Sequence, residues 1–393
     1  GYNATLGSHY NYETLTWLED RAGPLDMRVV EDFKPDAVLI TGLVNEIPRA
    51  YELSHLLRDT FPNVPQLGGG PHMSAIPGEA LHFGCFDAVG HGQGTRYIGA
   101  LLDASLRFTG EDRGKAFDTI PFISRMENGK LIGKGGAMLP MGLDQAPSPL
   151  PDYSTVFGLS KESPLPAATI QLSDSCPYRC TFCRVWTHNG EFVQLEGVSQ
   201  VERWKQLNEM VEAGLLYKDK RGKTTVFIVD DLAAWGLPVE DNLPPGWKME
   251  QFKEARQARK EEYLALKGHD FMDGFQTVAQ VRIAHGDDAE MINAMKTGAR
   301  NFMVYAGIEA TDDRSLKMMN KGQRVADFER QVHKLKESGI RVVGMGIIGL
   351  YHHTKESMMA QAQWFRDNTD FSTVNWITHL WGTIDAKSSQ WGM

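Results

Sequence analysis

Three of the four cysteines in this chain lie within eight residues, in the stretch Cys176-Pro-Tyr-Arg-Cys180-Thr-Phe-Cys183. Thiolates are soft ligands, and clustered thiolates select zinc, copper or iron–sulfur centres. Structural zinc takes four protein ligands, and the nearest fourth candidate is His188, five residues after the last cysteine. Three thiolates on a cubic [4Fe–4S] cluster would instead leave one iron open to another ligand. The stretch therefore favours an iron–sulfur centre, with a zinc site that borrows His188 as the alternative.

The overall composition is that of an ordinary globular protein with about two domains. The 393 residues are 42% hydrophobic and 23% charged, and the net charge of −9 argues against a broad nucleic-acid surface. No apolar run approaches the length of about 18 residues that a membrane span needs, and no signal peptide is recognisable. Because the clustered cysteines cannot form a disulfide framework, we expect a cytoplasmic protein. The chain opens at Gly1 without a methionine, so we expect a longer parent protein.

The first half predicts three apolar strands that end in glycine, within 36–42, 65–70 and 86–90. Helical patterns alternate with them, which indicates a parallel, doubly wound sheet. Ligands of such sheets bind at the carboxyl ends of the strands, where glycine lets the backbone approach a bulky group. Each glycine loop is weak evidence when taken singly. Cys85, just before the third strand, is expected to be a small buried residue.

The second half predicts six strands with helices between most of them, which suggests an open, partial (β/α)6 barrel. The strands are expected at 167–172, 225–229, 274–281, 302–306, 342–348 and 373–377. The first strand leads straight into the cysteine loop. A highly charged helix near 249–266 is interpreted as a solvated face or lid, because its charges mix both signs. The polar candidates at the carboxyl ends of the later strands are Asp230, Asp231, Gln280, Arg282 and Glu309.

The cysteine spacing, with Phe182 just before the third cysteine, resembles the signature of the radical S-adenosylmethionine (radical SAM) family. The resemblance implies a [4Fe–4S] cluster on the three cysteines and SAM bound at the strand ends. It implies that Arg282 meets the methionine carboxylate, that Glu309 contacts the ribose or the amino group, and that adenine lies against glycines of the fifth strand. For Asp231 we expect a solvated strand end or an ion pair. The implied SAM contacts are Phe182, Asp230, Gln280, Arg282, Glu309, Gly344 and Gly349.

As an ordered series, the glycine loops resemble the cobalamin-binding domain that precedes many radical SAM barrels, through Gly69-Gly-Pro-His72 and Asp87-Ala-Val-Gly-His-Gly-Gln-Gly94. The family more often has Gly-Glu-Gly-Glu at the second position. The chain also lacks Asp-x-His-x-x-Gly, so we expect no histidine from that motif beneath the corrin. For His72 and His91 the alternative is a loop histidine hydrogen-bonded to backbone. The implied cobalamin contacts are Thr41, Gly42, Gly68, Gly69, Gly70, His72, Gly92, Gln93 and Gly94.

We therefore expect an α/β protein of two domains. A Rossmann-like (flavodoxin-like) cobalamin-binding domain would occupy residues 1–140, and a linker would follow at 141–165. A radical SAM partial barrel of the TIM type would occupy 166–383. Residues 384–393 would form a C-terminal tail, in which a further region could begin.

The expected function is a cobalamin-dependent radical SAM methyltransferase that acts on an unactivated carbon of a small or medium natural-product-like substrate. Its reductant would be a one-electron donor such as flavodoxin or ferredoxin. One alternative keeps the cofactors but performs an oxidation, cyclisation or ring rearrangement, as the anaerobic tetrapyrrole cyclase does. Another is a non-catalytic cobalamin- or zinc-binding regulator. A tRNA methylthiotransferase is disfavoured, because that family needs a second cluster and only Cys85 remains.

Overall fold

The described residues form two compact units, one made largely of residues up to Gly133 and the other largely of residues from Pro164 onward. The computed structural model describes residues 23–92, 94, 97–133, 164–188, 192–194, 200–240 and 243–378, together with Leu15, Glu19, Lys161 and Thr383.

The first unit is built on one five-stranded sheet. Its parallel strands β1 (Val38–Thr41), β2 (Gln66–Gly69) and β3 (Ala88–Gly90) pair in that order. Strands β4 (Ile123–Glu127) and β5 (Lys130–Gly133) extend the sheet as an antiparallel hairpin. Its helices are α1 (Met27–Phe33), α2 (Ile47–Thr60), α3 (Pro71–Ala75), α4 (Pro77–Phe83), α5 (Ile98–Arg107) and α6 (Gly110–Asp118).

The central strand β3 is buried on both faces, because successive side chains of a strand point to opposite sides and helices pack on each side. Ala88 packs in an apolar cluster with residues of α5 and α6, whereas its neighbour Val89 packs in a second cluster with residues of α2, α3 and α4. The described parallel strands nevertheless follow chain order. The reversal of strand order that marks the binding crevice of a doubly wound sheet is therefore not found among the described strands.

The second unit is built on a parallel sheet of six strands, each beside its neighbour in chain order. The strands are β6 (Ala168–Ile170), β9 (Thr224–Ile228), β10 (Phe275–Arg282), β11 (Asn301–Glu309), β12 (Arg341–Ile348) and β13 (Phe371–Trp376). A two-stranded antiparallel ribbon, β7 (Ser173–Asp174) with β8 (Val193–Gln194), lies outside this sheet. The helices are α7 (Val185–His188), α8 (Gln200–Glu212), α9 (Met249–Ala265), α10 (Ala289–Thr297), α11 (Asp313–Met318), α12 (Val325–Glu337) and α13 (Lys355–Asn368).

The parallel arrangement brings all six carboxyl ends to one edge of the sheet. The interior strands are strongly apolar, as expected for strands that are covered on both faces. Their side chains join one large cluster, in which Val226, Ala279, Val304 and Val342 are buried together with aromatic residues of the surrounding helices. This rigid core fixes the directions of the polar residues that follow each strand.

The interpretation of the charged helix near 249–266 as a solvated face holds for only one side of the helix, where Lys253, Glu254 and Glu261 are exposed. Helix α9 buries Phe252 and Tyr263, and two of its arginines turn inward to acidic partners. Arg256 binds Asp288 at 2.6 Å, and the fully buried Arg259 lies 2.9 Å from Asp230. Charge density along the sequence did not reveal that these guanidinium groups have partners in the core.

No helix within the described residues combines the length and the apolar character that crossing a membrane requires.

Candidate functional site

The cysteine loop is held in place by backbone hydrogen bonds to a distant part of the chain. Thr181 N donates to Met319 O at 3.0 Å, and Asn320 Nδ2 donates to Arg179 O at 2.9 Å. Within the loop, Trp186 Nε1 donates to the carbonyl of Cys180 at 3.0 Å. The loop is therefore anchored to the connection that follows α11, and its conformation depends on the tertiary structure.

Burial dominates the electrostatics of the thiols. It raises the pKa of Cys176 and of Cys183 to about 12, and the neighbouring cysteines add to both shifts. Because the charges of neighbouring cysteines, including the buried Cys180, contribute to both pKa shifts, the three thiols lie close together. At neutral pH the thiols of Cys176 and Cys183 stay protonated in the protein alone, so a bound metal is needed to convert these two to thiolates.

A closed zinc tetrahedron needs four protein ligands, and the loop supplies three thiolates. A [4Fe–4S] cluster held by three cysteines leaves one iron open to another ligand. The side chain of His188 lies outside what the structure describes.

Arg282, the last residue of β10, presents a buried cation close to this loop. Its guanidinium lies 3.8 Å from the centroid of the Tyr178 ring, within the cysteine motif. Nη2 donates to the carbonyl of Lys321 and, at 3.4 Å, to that of Gly322. Nε is buried without a hydrogen-bond partner among the described residues. An oriented guanidinium with an unused donor is suited to binding the carboxylate of a ligand.

Glu309, the last residue of β11, is buried and already has a counter-ion. Lys321 Nζ donates to its Oε1 at 2.7 Å. Its backbone has a φ of 66° and lies at an irregularity in the pairing with β12, a conformation that is uncommon for a non-glycine residue. Lys321 could not be selected from the sequence, because nothing in its local sequence distinguishes it from a solvent-exposed lysine.

The segment Met318–Gly322 connects these features. Its backbone and side chains contact the cysteine loop, the guanidinium of Arg282 and the carboxylate of Glu309. Two of its residues, Asn320 and Gly322, have positive φ angles, which asparagine and glycine tolerate best. We call this stretch the 318–322 segment.

Asp230 has a structural role that the sequence analysis did not predict. One oxygen accepts from Leu172 N and the other from Ser173 Oγ, both at 2.6 Å, and Arg259 lies beside it. The residue is fully buried, and these contacts occupy both carboxylate oxygens. Asp230 therefore joins the ends of β6 and β9 and is not retained among the cofactor ligands.

Asp231 differs from the solvated strand end that we expected. Burial raises the pKa of its carboxyl to about 7, and repulsion from Asp174 and Asp230 adds to the shift. Its charge also acts on the Cys183 thiol, which places Asp231 near the cysteine loop. A carboxyl that titrates near neutrality beside a candidate metal site is a functional candidate. Two consecutive aspartates at a strand end were the sequence signal, but only the structure separates their roles.

Close packing explains the two glycines that were expected to contact the adenine of SAM. A Cβ on Gly344 would lie 2.6 Å from Phe365 of α13, and one on Gly349 would lie 2.5 Å from Trp376. Gly349 also has a φ of 86°. Glycine at these positions therefore permits close packing and gives no evidence for a nucleoside. Phe182 is half-buried against the core, and Gln280 is half-buried on β10.

In the first unit, the glycine loops share one edge of the sheet. Thr41 pairs with Gly69 in register, and Gly68 pairs with Val89. Among the described residues, a Cβ on Gly69 would meet only Gly90 O, at 3.9 Å, so no described atom fills the space in front of this position. An open backbone surface of this kind would accommodate a large planar ligand.

At the neighbouring glycine positions, backbone conformation or close packing explains why glycine is present. Gly70 has a φ of 93°, and a Cβ there would collide with Thr41 Oγ1. A Cβ on Gly68 would lie 2.9 Å from Met73 Sδ. Gly42 is buried beside α2, and Gly92 has a φ of 66°. Gly94 lies near Tyr97, whereas Gln93 is outside the described residues.

The histidines and the lone cysteine of this unit are accounted for by local contacts. His91 is buried between Ser124 Oγ at 2.8 Å and the carbonyl of Ser74 at 3.1 Å. His72 lies 3.1 Å from a carboxylate oxygen of Glu79, not from backbone as the alternative reading proposed. Cys85 is half-buried, with its sulfur 3.0 Å from His55 Nδ1, and is not the fully buried residue we expected.

The model of the radical SAM superfamily matches residues 170–365, which include the cysteine loop, Arg282 and Glu309. This chain therefore carries a radical SAM domain, and such a domain implies a [4Fe–4S] cluster and SAM.

Known proteins resemble the chain beyond this domain. An uncharacterised methyltransferase of Pyrococcus horikoshii is 24% identical over 337 residues, which are 85% of this chain and 64% of that protein. The cobalamin-dependent radical SAM methyltransferase TokK of Streptomyces tokunonensis is 26% identical over 183 residues, covering 45% of this chain and 26% of that protein. The chain thus spans less than two thirds of the length of these relatives.

A solved structure extends the likeness to the fold. The radical SAM methyltransferase TsrM of Kitasatospora setae, with cobalamin and a [4Fe–4S] cluster bound, superimposes with a TM-score of 0.62. The sequence identity is 15%, and the match covers 89% of this chain and 64% of that one. At this identity the likeness establishes a shared fold, and it includes both compact units of the described chain.

Proposed function

We propose that this chain is the cofactor-binding part of a cobalamin-dependent radical SAM methyltransferase. The observation that carries the proposal is the three-cysteine loop stacked, through Tyr178, on an arginine whose Nε has no hydrogen-bond partner among the described residues. In this interpretation the six parallel strands form a partial (β/α)6 barrel. The sheet of the first unit forms a Rossmann-like cobalamin domain, with Gly69 at its binding edge. The relatives and the fold of TsrM support both assignments.

Cys176, Cys180 and Cys183 would hold a [4Fe–4S] cluster, and Arg282 would bind the carboxylate of SAM. When bound, these groups supply an electron that cleaves a carbon–sulfur bond of SAM, and cobalamin supplies a carrier for the methyl group. The Lys321–Glu309 pair neutralises charge at the neighbouring strand end, so Glu309 can accept hydrogen bonds from a polar ligand without being an isolated buried anion. Asp231, with a pKa of about 7, can hold or release a proton near the cysteine loop.

We propose an unactivated carbon of a small or medium natural-product-like molecule as the methyl acceptor, and a flavodoxin or ferredoxin as the electron donor. Methyl transfer ranks above a cyclisation or ring rearrangement because the named relatives are methyltransferases.

Anaerobic reconstitution with iron, sulfide and hydroxocobalamin tests the proposal. We expect about four irons and four sulfides per chain, reductive cleavage of SAM to 5′-deoxyadenosine, and label on cobalamin from methyl-labelled SAM. Replacing the three clustered cysteines by alanine should abolish iron binding and cleavage, whereas Cys85→Ala should change neither. Cleavage by the triple variant would refute the cluster assignment. Cleavage without any labelling of cobalamin or of candidate acceptors would favour the rearrangement alternative.

A further inference from the structure

Four polar side chains meet at the carboxyl ends of β11 and β12, apart from the residues assigned above. Asp312 and Ser315 belong to the first turn of α11, and His352 and His353 belong to the loop between β12 and α13. Ser315 is fully buried, and the side chains of His352 and His353 are only 11% and 3% exposed. Asp312 is the solvent-facing member, with a side chain that is 45% exposed.

The donor atoms converge on one point. Ser315 Oγ lies 2.6 Å from Asp312 Oδ2, 3.0 Å from His352 Nε2 and 3.2 Å from His353 Nε2. The two imidazole Nε2 atoms lie 3.9 and 4.0 Å from the nearest carboxylate oxygens of Asp312. The carboxylate and the two imidazoles each place one ligand atom within 4.8 Å of the others.

These separations bracket the edges of a small coordination tetrahedron. Bonds of about 2.0–2.2 Å from zinc to nitrogen or oxygen require ligand atoms roughly 3.3–3.6 Å apart. Three of the observed distances are shorter than that range and two are longer, so shifts of the ligand atoms by up to about 0.7 Å would regularise them. Two imidazoles, a carboxylate and a hydroxyl form a nitrogen–oxygen donor set that suits a divalent cation of the zinc type.

The imidazoles can present nitrogen lone pairs to a cation. Ser315 has one hydroxyl hydrogen, and the 2.6 Å contact with Asp312 uses it. The Nε2 atoms of His352 and His353 face this hydroxyl oxygen, and in the tautomer with the proton on Nδ1 each Nε2 offers a lone pair to a metal ion.

We propose that Asp312, Ser315, His352 and His353 form a structural site for one divalent zinc ion. Ser315 is buried, the side chains of His352 and His353 are mostly buried, and Asp312 is the one solvent-facing member of the site. It would tie the start of α11 to the loop after β12. The ion is distinct from the iron of the cysteine loop, and the proposal does not depend on the function proposed above.

The test counts zinc and iron in the same sample. Full-length protein, reconstituted anaerobically with its cluster, is incubated with zinc chloride, dialysed and analysed by mass spectrometry of the elements. We expect about one zinc per chain, with iron content unchanged. His352→Asn and His353→Asn should each lose the zinc, whereas His333→Asn, on the exposed face of α12, should retain it.

Two further variants separate the alternatives. Asp312→Asn keeps a good helix cap for α11, so the protein should fold, yet its zinc affinity should fall by at least about 10- to 100-fold. The triple alanine variant of the clustered cysteines should keep its zinc. Anomalous scattering at the zinc edge should place the ion between Asp312 and the two histidines. Wild-type protein without zinc, or zinc that disappears with the cysteines, would overturn the proposal and leave a hydrogen-bonded cluster centred on Ser315.

Discussion

At the scale of single residues, the candidate site depends on buried charges whose partners are far away in the sequence. Arg282 is stacked on Tyr178 and bound to carbonyls of the 318–322 segment, and Glu309 is paired with Lys321. Loss of either partner would be costly, because it would leave an unpaired charge in the core. Nε of Arg282 has no partner among the described residues, so it is an oriented donor for a ligand.

Replacing Arg282 by alanine should weaken SAM binding by about 10- to 100-fold. The lost interaction is a charge-assisted hydrogen bond to a carboxylate, worth roughly 1.5–3 kcal/mol. Calorimetric titration of the iron-loaded protein with SAM measures the effect, and iron content should stay at the wild-type level. Arg221→Ala, which removes a guanidinium that is mostly exposed, serves as the control and should leave affinity unchanged. An unaltered affinity for Arg282→Ala would move the carboxylate site elsewhere.

His285 should make the second unit sensitive to acid. Burial lowers the pKa of its imidazole from 6.5 to about 4 in the folded protein. Between these values the unfolded chain binds a proton that the folded protein does not, so the free energy of unfolding falls as the pH decreases from 6.5 to 4.

The variant His285→Gln lacks this titration. Relative to wild type, it should therefore gain stability as the pH is lowered through that range, measured by urea unfolding at several pH values. The same comparison for His333→Gln, at an exposed position, provides the control. A constant difference between His285→Gln and wild type across the range would contradict the assignment.

At the scale of elements, the connection between β11 and α12 organises the candidate site more than any strand does. Its 318–322 segment binds the cysteine loop through Met319 and Asn320 and binds β10 and β11 through Lys321. The parallel sheet delivers Arg282 and Glu309 to one edge, and this connection then fixes their side chains. A change in the segment should therefore affect stability even without cofactors.

Lys321→Met should reduce the free energy of unfolding by about 3–5 kcal/mol, because it leaves the buried carboxylate of Glu309 without its counter-ion. The double variant Glu309→Gln with Lys321→Met should recover a large part of this loss, since neither partner then carries a charge. Chemical denaturation of the four proteins in the cycle measures the coupling. Lys205→Met, which removes an exposed partner of Glu202 on α8, should cost less than about 1 kcal/mol. A similarly small cost for Lys321→Met would show that the buried pair contributes little.

At the scale of the whole molecule, the proposed cobalamin edge and the cysteine loop belong to different compact units. A variant in the first unit can therefore remove one cofactor and spare the other. Gly69 is the position to change, because its φ is not positive and, within the described part of the chain, its Cβ would meet only Gly90 O at 3.9 Å. A side chain at Gly69 costs little in the protein alone, yet it would occupy the space that a corrin needs.

Gly69→Leu should lose cobalamin while its iron content and its thermal midpoint without cobalamin stay near those of wild type. Gly70→Ala is the contrasting variant: its positive φ and the contact with Thr41 predict a lower midpoint whether or not cobalamin is present. Cobalamin, iron and thermal unfolding should be measured on the same samples. Full cobalamin uptake by Gly69→Leu would contradict the proposed edge.

The sequence by itself determined the chemistry of the metal loop and the alternation of strands and helices. Soft ligands at fixed short spacing are a local property, and so are the apolar runs of buried parallel strands. Arg282 and Glu309 could also be selected from the sequence, because each directly follows an apolar strand and parallel strands share one carboxyl edge.

Only the tertiary structure decided which polar residues are already in use. Asp230 and Asp231 are adjacent and chemically identical, yet Asp230 has a buried arginine as its partner and Asp231 has a pKa near 7. The glycine at 344 is required by Phe365 of α13, and α9 directs two arginines into the core. Burial and ion pairing depend on groups that are distant in sequence, and no local pattern records their approach.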